Sequence, residues 1–404
     1  MHRSPLRKNP GHSADVSLVV HGRFHAFSLA KALTRSGLRV HVLTNYPETL
    51  AKRWLGDQVS LQCHPLHGLL QRVVNRLDLG QRFPALGQRL HSSFSRWAAL
   101  RLRQKSSPVV HCFSGVALEM IEECQLWADP PQILLARGSS HIVEQHDILE
   151  REQQRCGVAV EKPSSWMIQR ELQEYALSDK IIVLSEFARD SFIRQQVDPS
   201  KLSLLPLGCD LRDFKPVPGS VDERLRRVQA GEPLNVLGTG TFCMRKGALD
   251  FVAVARALTP ALQFTWVGGV ASDAARLAAH SRDVIRFIPR VSEFALPAYY
   301  RNADLYFFPT LEDGFAVTLS QAAAGALPIV ATDRCAAPEL LRQGGGWVVQ
   351  ACDQMGMISR LRAIDRDRSL LAAQIRFLSG QAPLRDWDMV ARDFVRVYEG
   401  MISH

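Results

Sequence analysis

Long apolar runs, paired cysteines and internal repeats are what this 404-residue sequence lacks. No stretch approaches the roughly 18–20 consecutive apolar residues that a spanning helix requires, so no transmembrane helix is expected. The basic start, Met1–Pro10, is not followed by a signal-peptide core, because the run Val16–Val20 is only long enough for a strand. A cytoplasmic protein is expected, at most peripheral at the inner face of a membrane. The eight cysteines (Cys63, Cys112, Cys124, Cys156, Cys209, Cys243, Cys335 and Cys352) contain no C-x-x-C pair. Scattered cysteines of this kind are expected to be free thiols, with neither disulfides nor zinc. No low-complexity tract and no repeat of solenoid period interrupts the chain, which excludes repeat and disordered classes.

Acidic residues are scarce in one place. Residues 68–107 hold eight basic side chains (Arg72, Arg76, Arg82, Arg89, Arg96, Arg101, Arg103 and Lys105) against the single acid Asp78. The chain as a whole carries +9. Of this, residues 1–205 contribute +7 (26 basic, 19 acidic) and residues 206–404 contribute +2 (23 basic, 21 acidic). A concentrated field of this sign favours a phosphorylated or membrane-bound partner, and nucleic acid is not expected. Within the basic stretch, Leu69, Leu70, Val73, Val74 and Leu77 share one helical face, as do Leu86, Leu90, Phe94 and Trp97. The simpler reading turns both stripes to the core and the arginines to water; the other makes the stretch a docking surface for an anionic membrane or an acceptor.

With 46% hydrophobic and 22% charged residues the chain is globular, and its length predicts two domains of about 150–200 residues each. A strand at Asp15–Val20, a polar turn His21-Gly22-Arg23-Phe24-His25, a helix with Phe27, Leu29, Ala30 and Leu33 on one face, and a strand at Val40–Leu43 make a βαβ unit. Further strands are predicted at Val59–Cys63, Val109–Phe113, Ile133–Ala136, Ile181–Leu184 and Leu202–Leu205. A helix over Ser164–Leu177 is predicted to bury Trp166, Ile168 and Leu172. Ligands of parallel sheets lie beyond the carboxyl ends of the strands, so His21, Arg23, His111 and the segment Arg137–His141 are expected to face one cleft. An interdomain linker is placed at 207–220, where Pro and Gly accumulate. The alternation then restarts with strands at Leu234–Leu237, Phe264–Val267, Val284–Ile288 and Leu305–Phe308, and a helix from Trp387 to Met401 closes the chain.

The stretch Phe307–Thr332 gathers a strand, the carboxylates Glu312 and Asp313, a turn at Gly314, an Ala-rich helix carrying Gln321, and a second strand around Ile329–Val330. Polar groups at that helix entrance, with its unpaired N–H groups and dipole, suit an anionic ligand.

Several motifs agree in order and spacing. Leu205-Pro-Leu-Gly-Cys-Asp210 with Phe214-Lys-Pro216 resembles the "PxGxDxxxFxP" segment of the family 4 (group 1) retaining glycosyltransferases. Gly240-Thr-Phe-Cys-Met-Arg-Lys-Gly247 resembles their "GR…KG" loop, and Ala303-Asp304 through Pro328 resembles "AD…PS…EGF…EA…G.P". The resemblance spans nearly the whole chain. It implies an α/β protein of two doubly wound Rossmann-like domains facing a central cleft (GT-B): an acceptor-binding domain over 1–206 and a nucleotide-sugar domain over 221–382. Residues 383–404 would form a helix returning toward the first domain.

The implied activity is transfer of a hexose from a UDP- or GDP-sugar to a saccharide or lipid-linked saccharide, in cell-surface or exopolysaccharide synthesis, with no cofactor or metal. Retention of configuration requires no carboxylate nucleophile, since the departing phosphate helps take the acceptor proton. By the same resemblance Lys246, Arg245, Asp313 and His141 are candidate catalytic residues. Gly22, Arg23, Arg137, Gly240, Thr241, Arg290, Gly314, Phe315, Ala316 and Gln321 are candidates for holding the donor. The family's two glutamates fall on Asp313 and Gln321, and an arginine beside the diphosphate is replaced by Thr241. A non-catalytic sugar-nucleotide-binding partner, a sugar-nucleotide epimerase and a pyridoxal-phosphate-bearing phosphorylase remain as alternatives.

Overall fold

The computed structural model describes residues 12–403 apart from 78, 80–82 and 382–383. The basic start, Asp78, Arg82 and the boundary expected at 382/383 lie outside the described residues. Two all-parallel sheets form the framework. The first has seven strands: β1 (Val16–Val20), β2 (Val40–Thr44), β3 (Ser60–Cys63), β4 (Val109–Phe113), β5 (Gln132–Ala136), β6 (Lys180–Val183) and β7 (Leu202–Leu204), in the order β3-β2-β1-β4-β5-β6-β7. The second has six: β8 (Leu234–Thr239), β9 (Leu262–Val267), β10 (Ile285–Ile288), β11 (Leu305–Phe308), β12 (Ile329–Thr332) and β13 (Gly346–Val349), in the order β10-β9-β8-β11-β12-β13. Central strands such as β1, β4 and β11 are buried along their whole length because helices cover both faces, which is why they read as unbroken apolar runs. The strand order reverses between β1 and β4 and between β8 and β11. Ligand crevices of open parallel sheets lie beyond the carboxyl ends at these switch points.

The chain crosses between the sheets twice, and the crossings run side by side: the Cys209 N–H donates to the Arg385 carbonyl at 3.1 Å. The final helix, Trp387–Ile402, then lies on the first sheet's side of the molecule. There Tyr398 Oη is 2.8 Å from His111 Nδ1 and Phe394 stacks on the same imidazole at 5.2 Å. His111 is thus a core residue under the closing helix and does not face the cleft. One apolar cluster runs from the first sheet through Leu207, Leu211 and Phe214 into the second, so the two halves share a core.

Three elements depart from expectation. Strand β13 was not foreseen, since its four residues follow two glycines and begin on a third, leaving too short an apolar run to read. In the helix Ser165–Leu177 the fully buried side chains are Arg170, Glu171, Glu174 and Tyr175, while Trp166, Ile168 and Leu172 are half-buried. The helix lies against turns that present bare backbone: Glu174 accepts from the N–H groups of Gly115, Ala117 and Leu118, and Arg170 donates to the Gly115 carbonyl. Buried polar groups need such partners, and here the helix supplies them. Lastly, the helix Pro65–Arg76 buries His67, Gly68 and Val74, and Leu69, Leu70, Val73 and Leu77 point to solvent. The core-facing reading of that stripe is therefore corrected. It holds in part for the following helix, Pro84–Gln104, which buries Leu90 and Phe94 and half-buries Trp97 but leaves Leu86 exposed.

Candidate active site

A cavity of about 360 Å³ opens between the carboxyl edges of the two sheets. Phe24, His25 and Gly138 line it from the first sheet; Thr239, Gly240, Lys246, Asp313, Phe315 and Ala316 line it from the second.

The second-sheet wall is built by two interlocked loops. The turn Met244–Lys246 ends at Gly247, whose φ is +75° and whose absent Cβ would stand 1.8 Å from the Pro309 carbonyl oxygen. Only glycine permits that approach. The loop after β11 is tied back through the Leu311 N–H, which donates to the Arg245 carbonyl at 2.9 Å. This brings Lys246 Nζ onto the Asp313 carboxylate as an ion pair. The other Asp313 oxygen accepts from the N–H groups of Phe315 (3.1 Å) and Ala316 (2.8 Å), at the entrance of the helix Val317–Ala324. Burial alone would raise the Asp313 carboxyl, but the charges of Lys246 and Arg245 and these hydrogen bonds hold it below the usual carboxylate value. The helix entrance expected to be open to an anion is thus capped by the chain's own carboxylate, and Lys246 is already paired.

Glu312 does something the sequence did not indicate. It is fully buried, and its carboxylate joins the two halves. One oxygen accepts from Ser140 N (2.8 Å) and Oγ (3.1 Å); the other accepts from Gln145 Nε2 (3.0 Å) and Arg245 Nη1 (3.1 Å). Gly314 makes the adjoining contact, where a Cβ would meet the Gly138 carbonyl oxygen at 2.2 Å. Arg245 is accordingly bound to Glu312 and braces the cleft from behind Lys246.

On the first-sheet wall, His25 ends the turn after β1 with its ring 5.1 Å from Phe113, and burial pushes its pKa down to about 4. It is a neutral imidazole at neutral pH, able to exchange a hydrogen bond with a ligand. Phe24 stands 64% exposed at the rim. Neither residue was singled out from the sequence, although both lie in the turn His21–His25; only their position opposite Lys246 marks them.

The remaining candidates divide. Gly22 lies in the same turn and is not in the cavity wall: its N–H donates to Asn45 Oδ1 at 2.6 Å. Arg23 points away, with its guanidinium 3.9 Å over the Trp54 ring and 3.3 Å from Glu293, in a groove beside the crossings. Arg137 is engaged through all three nitrogens, with the Ser140 carbonyl, Glu171 and Gln145. His141 is buried between Tyr175 and Phe192 and accepts from the Val143 N–H as a helix cap. Its imidazole is pushed to about 4 by burial, and it does not reach the cavity. Gln321 Oε1 accepts from Tyr300 Oη at 3.0 Å, and that hydroxyl is 2.8 Å from Thr239 Oγ1, so Gln321 connects to the cavity wall through a chain of hydroxyls. Thr241 and Arg290 are exposed on loops.

Two family models match this chain: "Glycosyltransferase Family 4" over residues 23–213 and "Glycosyl transferases group 1" over residues 233–367. Between them they take in both walls of the cavity. The chain belongs to the group 1, family 4 glycosyltransferases. As an enzyme of this family it has the GT-B arrangement, seen also in solved structures that share the fold. Sucrose-phosphate synthase from Thermosynechococcus elongatus superposes with a TM-score of 0.63 at 18% identity, covering 96% of this chain and 99% of that one. The Anabaena protein HepE in complex with UDP superposes with a TM-score of 0.65 at 13% identity, covering 95% and 99%. Among curated relatives, the GDP-mannose-dependent phosphatidylinositol monomannoside mannosyltransferase of Mycobacterium tuberculosis is 26% identical over 241 residues, 54% of this chain and 62% of its own length. The lipopolysaccharide core mannosyltransferase LpsB of Rhizobium meliloti is 32% identical over 111 residues, 26% of this chain and 32% of its own. The matched part thus spans less than two thirds of these relatives. Among the described residues, no helix of the glycosyltransferase is long and apolar enough to cross a membrane.

Proposed function

We propose that the enzyme is a retaining hexosyltransferase that holds a UDP- or GDP-sugar across the interdomain cavity and transfers the sugar to a saccharide or lipid-linked saccharide. The supporting observation is the position of Lys246: an ammonium on the second-sheet wall, paired with Asp313 and facing the neutral His25 across a space of about 360 Å³. Breaking the bond from the anomeric carbon to the diphosphate builds negative charge on the departing oxygen. A cation already positioned there stabilises that charge as it develops. In this reading Lys246 turns from Asp313 to the diphosphate, and Asp313, still capping the helix, accepts hydroxyls of the donor sugar. The acceptor oxygen attacks on the face the diphosphate leaves, and its proton passes to the departing phosphate. His25 orients the acceptor hydroxyl. The reading needs no metal, and it leaves Arg137 and His141 as scaffolding.

The names of the relatives include both GDP-mannose and UDP as ligands of those proteins, so both bases belong in the test. Donor hydrolysis and transfer are measured over UDP-, GDP- and ADP-sugars, with Lys246→Ala as the control. The expected loss in kcat/KM is about 10²–10³-fold, as for removal of a principal charge-stabilising group. Unchanged turnover in that variant sinks the phosphate role.

A further inference from the structure

The helix Pro65–Arg76 is mounted with its apolar side outward. At about 100° per residue, Leu66, Leu69, Leu70, Val73 and Leu77 fall within an arc of about 100°. They are 71%, 58%, 57%, 43% and 55% exposed. The opposite side fits the protein closely. A Cβ on Gly68 would lie 2.0 Å from the Asn45 carbonyl oxygen, so no other residue of the helix can occupy that contact. His67 Nε2 is 2.9 Å from the Leu90 carbonyl and its Nδ1 is 3.3 Å from the Asn45 amide. The orientation is therefore set by the seat, and the leucines are left bare.

Together those five side chains expose on the order of 500 Å² of apolar surface, at the upper end of what monomeric proteins leave uncovered. Phe83 and Leu86, 61% and 37% exposed, are further apolar side chains left open at the start of the next helix. Arg72 and Arg76 are exposed along the edge of the arc, and Arg89 and Arg96 are exposed on the neighbouring helix, where Arg103 is paired with Glu123. Neither helix contains an Asp or Glu. An apolar strip with arginines along its edge matches a surface that is apolar inside and anionic outside. A second copy of this chain matches poorly, since pairing the faces sets arginine rims against each other.

We propose that this face is the enzyme's attachment surface for an anionic lipid bilayer, with the leucines at headgroup depth and the arginines on lipid phosphates. The seat also places it relative to the chemistry: Asn45, under Gly68, receives the N–H of Gly22 in the turn that leads to Phe24 and His25. The attachment surface therefore adjoins the sheet edge that lines the cavity. Resting on the reading above, this identifies the acceptor as one presented at a membrane surface.

The test is co-sedimentation of the full chain with phosphatidylcholine vesicles, with and without phosphatidylglycerol, over a range of salt. The expected result is binding to the anionic vesicles that weakens with salt. Leu69→Ser/Leu70→Ser lowers the partition at least tenfold at every salt concentration, whereas Arg72→Gln/Arg76→Gln lowers it chiefly at low salt. All four side chains are solvent-facing, so both variants keep the parent's circular dichroism and its hydrolysis of the nucleotide-sugar donor. Equal binding of parent and leucine variant, or no binding by the parent, overturns the proposal. So does a leucine variant that changes only the oligomeric state. Vesicle binding without donor turnover would instead fault the catalytic reading and leave the surface standing.

Discussion

Replacing Glu312 by Gln changes no volume and tests whether the two halves are joined where the structure joins them. The carboxylate accepts four hydrogen bonds, from Ser140 N, Ser140 Oγ, Gln145 and Arg245. A Gln side chain has one acceptor oxygen. Ser140 Oγ can turn and accept from the new NH2, whereas the Gln145 amide can do so only by giving up the bond its oxygen accepts from Arg137 Nη2. The Ser140 N–H and the Arg245 guanidinium can only donate, and they face different oxygens. One of them must meet the new NH2. If it is Arg245, a partly buried cation loses its carboxylate and keeps only the main-chain carbonyl of residue 312; if it is Ser140, a buried N–H is orphaned. Either outcome costs about 2–3 kcal/mol, below the range for fully buried pairs because the Arg245 side chain is 32% exposed.

The assay is denaturant unfolding of a double-mutant cycle with Arg245→Met. A coupling of about 1.5–2 kcal/mol between positions 245 and 312 is expected, with Ser140→Ala costing about 1 kcal/mol or less because its N–H bond remains. A Glu312→Gln chain within about 0.5 kcal/mol of the parent, with additive effects in the cycle, would show that this carboxylate does not hold the interface.

Two further outcomes follow from the same geometry. Gly314→Ala puts a Cβ 2.2 Å from the Gly138 carbonyl, a backbone contact that can be relieved only by parting the cleft walls. The cost is about 1–3 kcal/mol, and amide exchange is expected to quicken at 138–146 and 312–320 while strands β1 and β8 stay protected. The second concerns pH. His111 is fully buried and burial, reinforced by nearby His25, pushes it from 6.5 to about 3. The unfolded chain thus binds a proton that the folded chain refuses, and this contribution to stability is intact above pH 6.5 and lost as pH falls toward 3. At pH 5 the loss from this one residue is about 2 kcal/mol. A unit of Tyr398→Phe substitution leaves the direction unchanged, whereas His111→Phe is expected to flatten that part of the pH–stability curve. A curve of unchanged slope would contradict it.

Much of the fold is legible from composition and order alone. Strands buried on both faces must be apolar throughout, so β1, β4 and β11 stand out as short Val-, Leu- or Phe-rich runs. Their alternation with helical periodicity leaves little choice but parallel sheets. The loop Gly240–Gly247 and the Asp313-Gly314-Phe315 turn could likewise be placed at strand ends, because only glycine serves such close turns. What a sequence does not contain is the identity of distant neighbours. Asp313 and Glu312 are adjacent carboxylates; their separate tasks arise because the first meets Lys246 and its own helix, and the second meets Ser140 and Gln145, 172 and 167 residues earlier. Arg137, a candidate for holding the donor by its place after β5, is instead engaged by Ser140, Glu171 and Gln145. The leucine stripe of Pro65–Arg76 has a period that any amphipathic helix shares. Periodicity says that one side is apolar, and the contact of Gly68 with Asn45 decides that this side faces out.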